Sequence, residues 1–302
     1  MQIGMWIDDD RPLSAVVADV ENAERLGFAR AWFGQRNGWD PLTLITAVGA
    51  RAPRIGLGTA VALTWPLHPL ALAAQALTTQ AAVGGRLTLG VGPSHQFIVE
   101  SRYGYRWTRP GQHVEDHLAV LAPALRGEAV DVRTATVAAA GRVEVPDMPR
   151  PPLLLAAHGP RMLRLAGERA DGVITVWSSP RGLAEYVVPQ VSAAAAGRPA
   201  PQIMVGVVAS LTHDPDAARE YVAEAFGVAG ELPSYRRSLD REGFSGPADT
   251  VVAGDEAELE KVVRRFADAG ATEIQLCPVG PPAERARTVA FFGELARREL
   301  RA

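Results

Sequence analysis

The sequence predicts an α/β protein, a (β/α)8 TIM barrel with inserted segments, and three observations carry that expectation. Eight short apolar or alternating segments recur along the 302 residues, and helical spacing of apolar residues fills most of the intervals between them. Strands that alternate with helices pair in parallel through right-handed crossovers, and eight such units can close on themselves. The strand count alone leaves an open doubly wound sheet as the alternative. Neither Gly56-Leu57-Gly58 nor Gly90-Val91-Gly92 extends to GxGxxG, so the dinucleotide signature of that alternative is missing.

Gln2 to Ile7 alternates as strand one and ends in Asp8-Asp9-Asp10, read as a solvated acidic loop. Pro12 opens a helix with Leu13, Val16, Val17, Val20 and Ala23 on one face, closed by Gly27. Strand two runs from Phe28 to Phe33, and Asp40-Pro41 supplies an N-cap and a first-turn proline for the next helix. Arg54 to Val61 is strand three, His68-Pro69 starts a helix, and Arg86 to Gly92 is strand four, broken by Pro93. Gln96 to Thr108 reads as a loop, and Val114, Leu118, Leu121 and Leu125 mark a helix over Arg109 to Arg126. Between Glu128 and Pro151 short β-like pieces around Gly141 predict an inserted hairpin.

Leu153 to Ala157 is a continuous apolar run, as expected of a strand covered on both faces. Gly172 to Trp177 is strand six, Pro180 to Gly197 a helix, and Ile203 to Leu211 strand seven. Asp214 begins another helix, and Gly227 to Thr250, without a clear period, reads as a second insertion that could serve as a lid. A helix over Glu256 to Ala269, strand eight at Thr272 to Cys277 and a helix from Ala283 to Leu300 complete the barrel. The chain 1–302 therefore reads as one barrel domain with insertions near 96–108, 128–151 and 227–250.

A hydrophobic share of 47% and a net charge of -3 suit a soluble globular protein and offer no electrostatic footprint for nucleic acid or an anionic membrane. The single cysteine, Cys277, excludes a disulfide framework and a cysteine metal site, and reads as a small buried hydrophobe. MQIGMWIDDD lacks the pattern of a signal peptide, and no window approaches the ~18 apolar residues of a membrane span, so a cytoplasmic location is expected.

In such a barrel the reactive groups gather at the carboxyl ends of the strands. After strand three, Thr59-Ala60-Val61 keeps the backbone small. After strand four, Gly92-Pro93-Ser94-His95 sets a hydroxyl and an imidazole on a constrained turn, and His95 could exchange a proton near neutral pH or simply be a hydrogen-bonded turn residue. After strand five, His158-Gly159-Pro160-Arg161-Met162 starts a helix whose free amides favour an anion, with Arg161 able to add a bidentate contact; an ordinary helix start with a solvated arginine has the same sequence. Trp177-Ser178-Ser179 offers an aromatic face and two hydroxyls, unless Trp177 fills the barrel rim. His113 and His117 are spaced as a zinc pair, but Val114 stands where HExxH has glutamate and no third ligand follows, so no metal is expected.

The blocks IGLGTAV, HPLALAAQALTTQAAVGGRLTLGVGPSH and LLLAAHGPRMLRLAGERADG, with the strand at Val173 to Trp177, resemble the luciferase-like monooxygenase superfamily, in particular its coenzyme F420-dependent oxidoreductases. The resemblance implies a barrel, frequently a homodimer, that holds a flavin or deazaflavin at its carboxyl-end face. It places a non-proline cis peptide at Ala60-Val61 beneath the ring, Gly92, Pro93, Ser94 and His95 near the cofactor, and Ala157 to Met162 with Val176, Trp177 and Ser178 around its phosphate-bearing side chain. His95 becomes the candidate proton donor with Asp40 as a weaker one, while Gln35, Asn37, Trp39 and Tyr235 line the substrate side. The branch that oxidises glucose 6-phosphate has a histidine after strand two and a glutamate after strand four, where this chain has Gln35 or Asn37 and Ser94 or His95, so sugar-phosphate oxidation is not expected. Three readings follow: an F420-dependent reductase or dehydrogenase acting on a small molecule, an FMN-dependent monooxygenase, and a non-catalytic barrel serving as a binding or partner subunit.

Overall fold

In the computed structural model, which describes residues 1–36, 38–146 and 148–299, eight parallel strands close into a barrel. They are β1 Gln2–Trp6, β2 Arg30–Phe33, β3 Gly56–Thr59, β4 Leu87–Gly92, β5 Leu153–Ala156, β6 Gly172–Val176, β7 Gln202–Leu211 and β8 Glu273–Pro278. Each pairs with its neighbour in order, and Gln2 opposite Glu273 joins β1 to β8. Closure rules out the open sheet. Leu300, the last residue of the predicted final helix, lies outside the described residues; the helix runs Pro282–Glu299.

The barrel interior is a packed plug, and glycines make room for its largest member. Trp32, fully buried, clusters with Leu154, Ile174 and Met204, and Ala60 and Val61 pack against that group. A Cβ on Gly4 would come 2.7 Å from the Trp32 Nε1, and one on Gly58 would overlap the other edge of its ring. Trp32 Nε1 donates to Glu273 Oε1 at 2.7 Å, while Arg30 pairs with the other carboxylate oxygen. The indole N–H thus keeps a partner where water cannot reach.

Several segments depart from the sequence reading. Gln96 to Thr108 is not all loop: Gln96–Tyr103 is helical and ends on Gly104, whose φ of 69 suits a left-handed cap. Only Val99 of that helix is buried, so it carries no apolar stripe to be read. Gly227 to Thr250 is likewise mostly helical: the helix Pro215–Gly230 runs into it, Pro233–Glu242 follows, and Pro247–Thr250 forms a 3-10 turn. The short strands Ala62–Leu63 and Val252–Gly254, paired with β4 and β7, were not legible in so few residues. The hairpin expected between Glu128 and Pro151 is present as Val130–Arg133 against Ala138–Gly141. Among the described residues, no helix is long and apolar enough to cross a membrane.

His113 and His117 are built into the packing beside the barrel. His113 Nε2 lies 3.0 Å from Thr64 Oγ1, and its ring stacks on Trp65 at 3.9 Å. His117 Nε2 donates to the Leu67 carbonyl at 3.2 Å, which leaves a buried Nδ1 with no acceptor for a second proton. Burial holds both rings neutral, His113 down to about 4 and His117 to about 3. The unfolded chain takes up these protons first, so the stabilisation is complete above the ordinary value of 6.5 and is lost as pH falls toward the folded values. A loss of about 2 kcal/mol per histidine by pH 5 is expected. Thermal melts of the protein and of a His113→Asn/His117→Gln variant at pH 7 and pH 5 check this. An equally steep pH dependence in the variant would show that the loss originates elsewhere.

Candidate functional site

At the carboxyl end of β3 the peptide between Ala60 and Val61 is cis, at the position expected. The polypeptide around it is held from both neighbouring strands. Thr59 Oγ1 donates to the Gly90 carbonyl at 2.7 Å and accepts from the Gly90 amide at 2.9 Å, tying β3 to β4 just before the bulge. Ala60 N donates to Phe33 O at 2.7 Å, and Gln35 N donates to Val61 O at 3.3 Å. Beyond it, Leu63 N donates to Gln35 Oε1 at 2.8 Å and Thr64 N to Gly92 O at 3.0 Å. Gln35, expected on the substrate side, therefore braces the bulge. Ala60 and Val61 present small apolar side chains on the barrel plug, the makings of a flat floor.

Rings from three other segments gather at the same end of the barrel. Ser94, at the end of β4, has a φ of 67, and Trp177, at the end of β6, a φ of 54. Non-glycine residues enter this left-handed region at a cost and concentrate where function demands it. The turn at Ser94 delivers His95, half-buried, to the start of the helix Gln96–Tyr103. His95 and His158 each meet the ring of Tyr235 edge-on, with centroids 5.1 Å and 5.0 Å away. Tyr235 comes from the added helix Pro233–Glu242, so an insertion closes over the ends of β4 and β5.

Electrostatically this cluster is neutral. Burial lowers the His95 pKa, and burial, helped by the Arg241 charge and by any charge that His95 takes up, takes His158 down to about 4. Burial pushes the Tyr235 phenol up to about 12. Near pH 7 the three rings are two imidazoles and a phenol that keeps its proton. Thr175 Oγ1 lies 3.4 Å from His158 Nδ1 and 3.3 Å from Ser178 Oγ, extending the polar line toward β6. Thr175 was missed in the sequence, although a threonine near the carboxyl end of an apolar strand is the signal that could have found it.

The helix Pro160–Arg169 begins at Gly159 with no side chain capping it, and a Cβ at Gly159 would meet nothing within 4 Å. Its first amides and positive dipole end are thus open to an anion. The neighbouring start at Pro180 is already covered: Ser179 N donates to Glu242 Oε2 at 3.2 Å, and Ser179 Oγ bonds the same carboxylate. Glu242 had no sequence signal. Of the two helix starts, Gly159-Pro160 is the one free to take a phosphate.

Other expected site residues have different placements. Asp40 is exposed and caps its helix, accepting from Thr43 N at 2.8 Å and Thr43 Oγ1 at 2.7 Å, which gives its carboxylate a structural task. Arg161 Nη2 donates to Glu115 at 2.7 Å and to Gln112 at 2.9 Å instead of standing free beside Gly159. Met162 packs on the main core and Trp177 on Phe226, so the tryptophan fills the rim. Trp39 is 41% exposed with its indole N–H on Arg11 O, and Asn37 lies outside the described residues. The acidic loop after β1 is not wholly solvated: Asp9 is buried and held at 2.7 Å by Arg36, which also pairs with Asp8. Cys277 lies partly buried in the apolar cluster with Trp177, its thiol pushed up to about 12 by burial.

A family model for luciferase-like monooxygenases matches residues 1–297. The chain is 28% identical over 261 residues to a 5,10-methylenetetrahydromethanopterin reductase of Methanolobus tindarius, covering 84% of this chain and 78% of that protein. In structure it is similar to an F420-dependent secondary alcohol dehydrogenase in complex with an F420-acetone adduct, at a TM-score of 0.82, 18% identity and 97% coverage of both chains. It is also similar to the oxygenating constituent of 3,6-diketocamphane monooxygenase from Pseudomonas putida in complex with FMN, at a TM-score of 0.74, 18% identity and 97% coverage of both. At these identities the two solved structures share the fold.

Proposed function

The chain belongs to the luciferase-like monooxygenase family and is an enzyme, and from that premise we propose that it is an F420-dependent oxidoreductase that transfers a hydride between the deazaflavin and a C=C, C=N or carbonyl group of a small molecule. The observation that carries the reading is the convergence at one mouth of a braced apolar floor at Ala60-Val61, the His95, His158 and Tyr235 cluster, and an uncapped helix start at Gly159. The residues fit such a group. A planar ring needs a flat apolar support and neutral polar edges, and its phosphate-bearing chain needs amides that a Cβ would not block. F420-dependent enzymes among the structural neighbours support the choice of deazaflavin. The non-catalytic reading falls with the family assignment.

When bound, a deazaflavin supplies hydride chemistry at a ring carbon and reacts poorly with oxygen. Ala60 and Val61 would support the ring, while the first amides after Gly159, with Ser178 and Thr175 nearby, would hold the anionic chain. A ring nitrogen of neutral His95 accepts the hydroxyl proton when an alcohol is oxidised. In the reverse direction the imidazolium returns that proton to the carbonyl oxygen. Tyr235, protonated, closes the site above both imidazoles and keeps bulk water from the transferred hydride.

Titrating the purified protein with F420 and, separately, with FMN tests the assignment through cofactor absorbance and quenching of tryptophan fluorescence. F420 is expected to saturate at micromolar concentration and FMN to bind at least ~10-fold more weakly, a gap of ~1.4 kcal/mol. The opposite order would move the protein to the FMN-dependent monooxygenases. Binding of neither would overturn the proposal.

A further inference from the structure

Resting on the F420-dependent reading, we infer that the substrate is a neutral molecule with a largely hydrocarbon body, which lies along Phe97 with its reacting carbonyl or carbinol group at His95. Phe97 is 54% exposed and sits next to a second exposed aromatic segment. It is the second residue of the helix that His95 starts, and its ring runs nearly parallel to the imidazole, 8° between planes at 6.4 Å. The apolar surface therefore begins beside the proposed proton carrier. Trp39 is 41% exposed on the neighbouring segment, and the two segments touch, since Arg102 Nη1 donates to Arg36 O at 2.5 Å.

Two of the arginines near this mouth are held in ion pairs, and a third lies over an aromatic ring. Arg36 pairs with Asp8 and Asp9, Arg161 with Glu115, and the Arg241 guanidinium lies 3.4 Å over the ring of Tyr186. Lys261, the only lysine, pairs with Glu258 on the outer helix Glu256–Asp268. An anionic substrate would have to give up its water beside neutral His95, His158 and Tyr235, or displace an existing ion pair. A hydrocarbon loses nothing there and gains by covering Phe97. Selectivity thus comes from the penalty on charge as much as from attraction to the chain.

The test uses the F420-loaded protein and three probes: methyl octyl ketone, the keto acid of the same length carrying a terminal carboxylate, and methyl ethyl ketone. In each reduction a hydride would pass from reduced F420 to the carbonyl carbon and a proton from the imidazolium of His95 to its oxygen. The proton then released by the deazaflavin restores the imidazolium, so that the products are oxidised F420 and an alcohol. Probe binding is measured by calorimetry and turnover by the returning absorbance of oxidised F420. The long ketone is expected to exceed the keto acid at least ~100-fold in kcat/KM and to bind more tightly, in line with the cost of moving a carboxylate out of water. Phe97→Ala should narrow the preference for the long over the short ketone ~10-fold, about the value of one lost phenyl contact surface. Equal or better use of the keto acid, absence of measurable binding by the long ketone, or a Phe97→Ala loss that strikes both ketones in proportion would overturn the inference. F420 binding measured beforehand separates this failure from failure of the cofactor assignment.

Discussion

Replacing His95 with Asn is expected to lower turnover about 10²- to 10⁴-fold, the range of general acid-base catalysis, while the Kd for the cofactor moves less than ~3-fold. Asparagine keeps a polar group near the same place but cannot accept and return a proton. The pH profile supplies a second readout. Burial lowers the His95 pKa from 6.5, so in alcohol oxidation, which needs the neutral ring, the rate should hold across pH 7 to 8 and fall on the acid side below 6.5. The variant should lose that acid limb. His158 gives the necessary contrast: it meets the same Tyr235 ring, yet its Nδ1 lies beside Thr175 Oγ1, on the side assigned to the cofactor chain. Changing His158 to Asn should weaken cofactor binding more than turnover. Equal losses in turnover and affinity at His95 would instead make it a binding residue.

The barrel strands were legible because alternating and apolar runs bounded by Gly and Pro mark strands whatever they pack against. The small residues at Thr59 to Val61 said only that the backbone there is accessible, and the cis peptide at Ala60-Val61 was expected through the resemblance alone. Side-chain partners were not legible in the same way. Asp40 and Arg161 have the chemistry of site residues, but Thr43 and Glu115 take up their hydrogen bonds, and such pairings follow from tertiary placement. Glu242 caps Ser179 from 63 positions away, a relation no spacing rule reveals. The segment Gln96–Tyr103 has the sequence of a loop because its exposed faces lack a hydrophobic period, although its terminal Gly104 is a helix-stop signal. Tyr235 shows the converse. It was placed near the substrate through the resemblance, and the structure brings it between the two histidines.

Gly90→Ala and Gly159→Ala insert the same methyl group and should part company sharply. A Cβ at Gly90 would overlap the carbonyl oxygen of Thr59 and the end of the Ile174 side chain. The first of these is backbone, fixed in place by the two hydrogen bonds between Thr59 Oγ1 and Gly90, so the overlap cannot be relieved by turning a rotamer. Overpacking of this sort costs ~1 to 3 kcal/mol, and the strand separation needed to relieve it would shift the Ala60-Val61 floor. Gly90→Ala should therefore melt several degrees lower and bind cofactor at least ~10-fold more weakly, since a displaced floor loses contact with one face of the ring. At Gly159 the φ of -98 is open to any residue and the new methyl meets no neighbour. Stability there should stay within ~0.5 kcal/mol, with any loss confined to binding, because only an approaching ligand would meet the methyl group. Paired melting curves and cofactor titrations distinguish the two. Wild-type stability and affinity in Gly90→Ala would mean that the floor is not seated on β4, and the link from barrel wall to cofactor would have to be drawn through Gln35 and Thr64 instead.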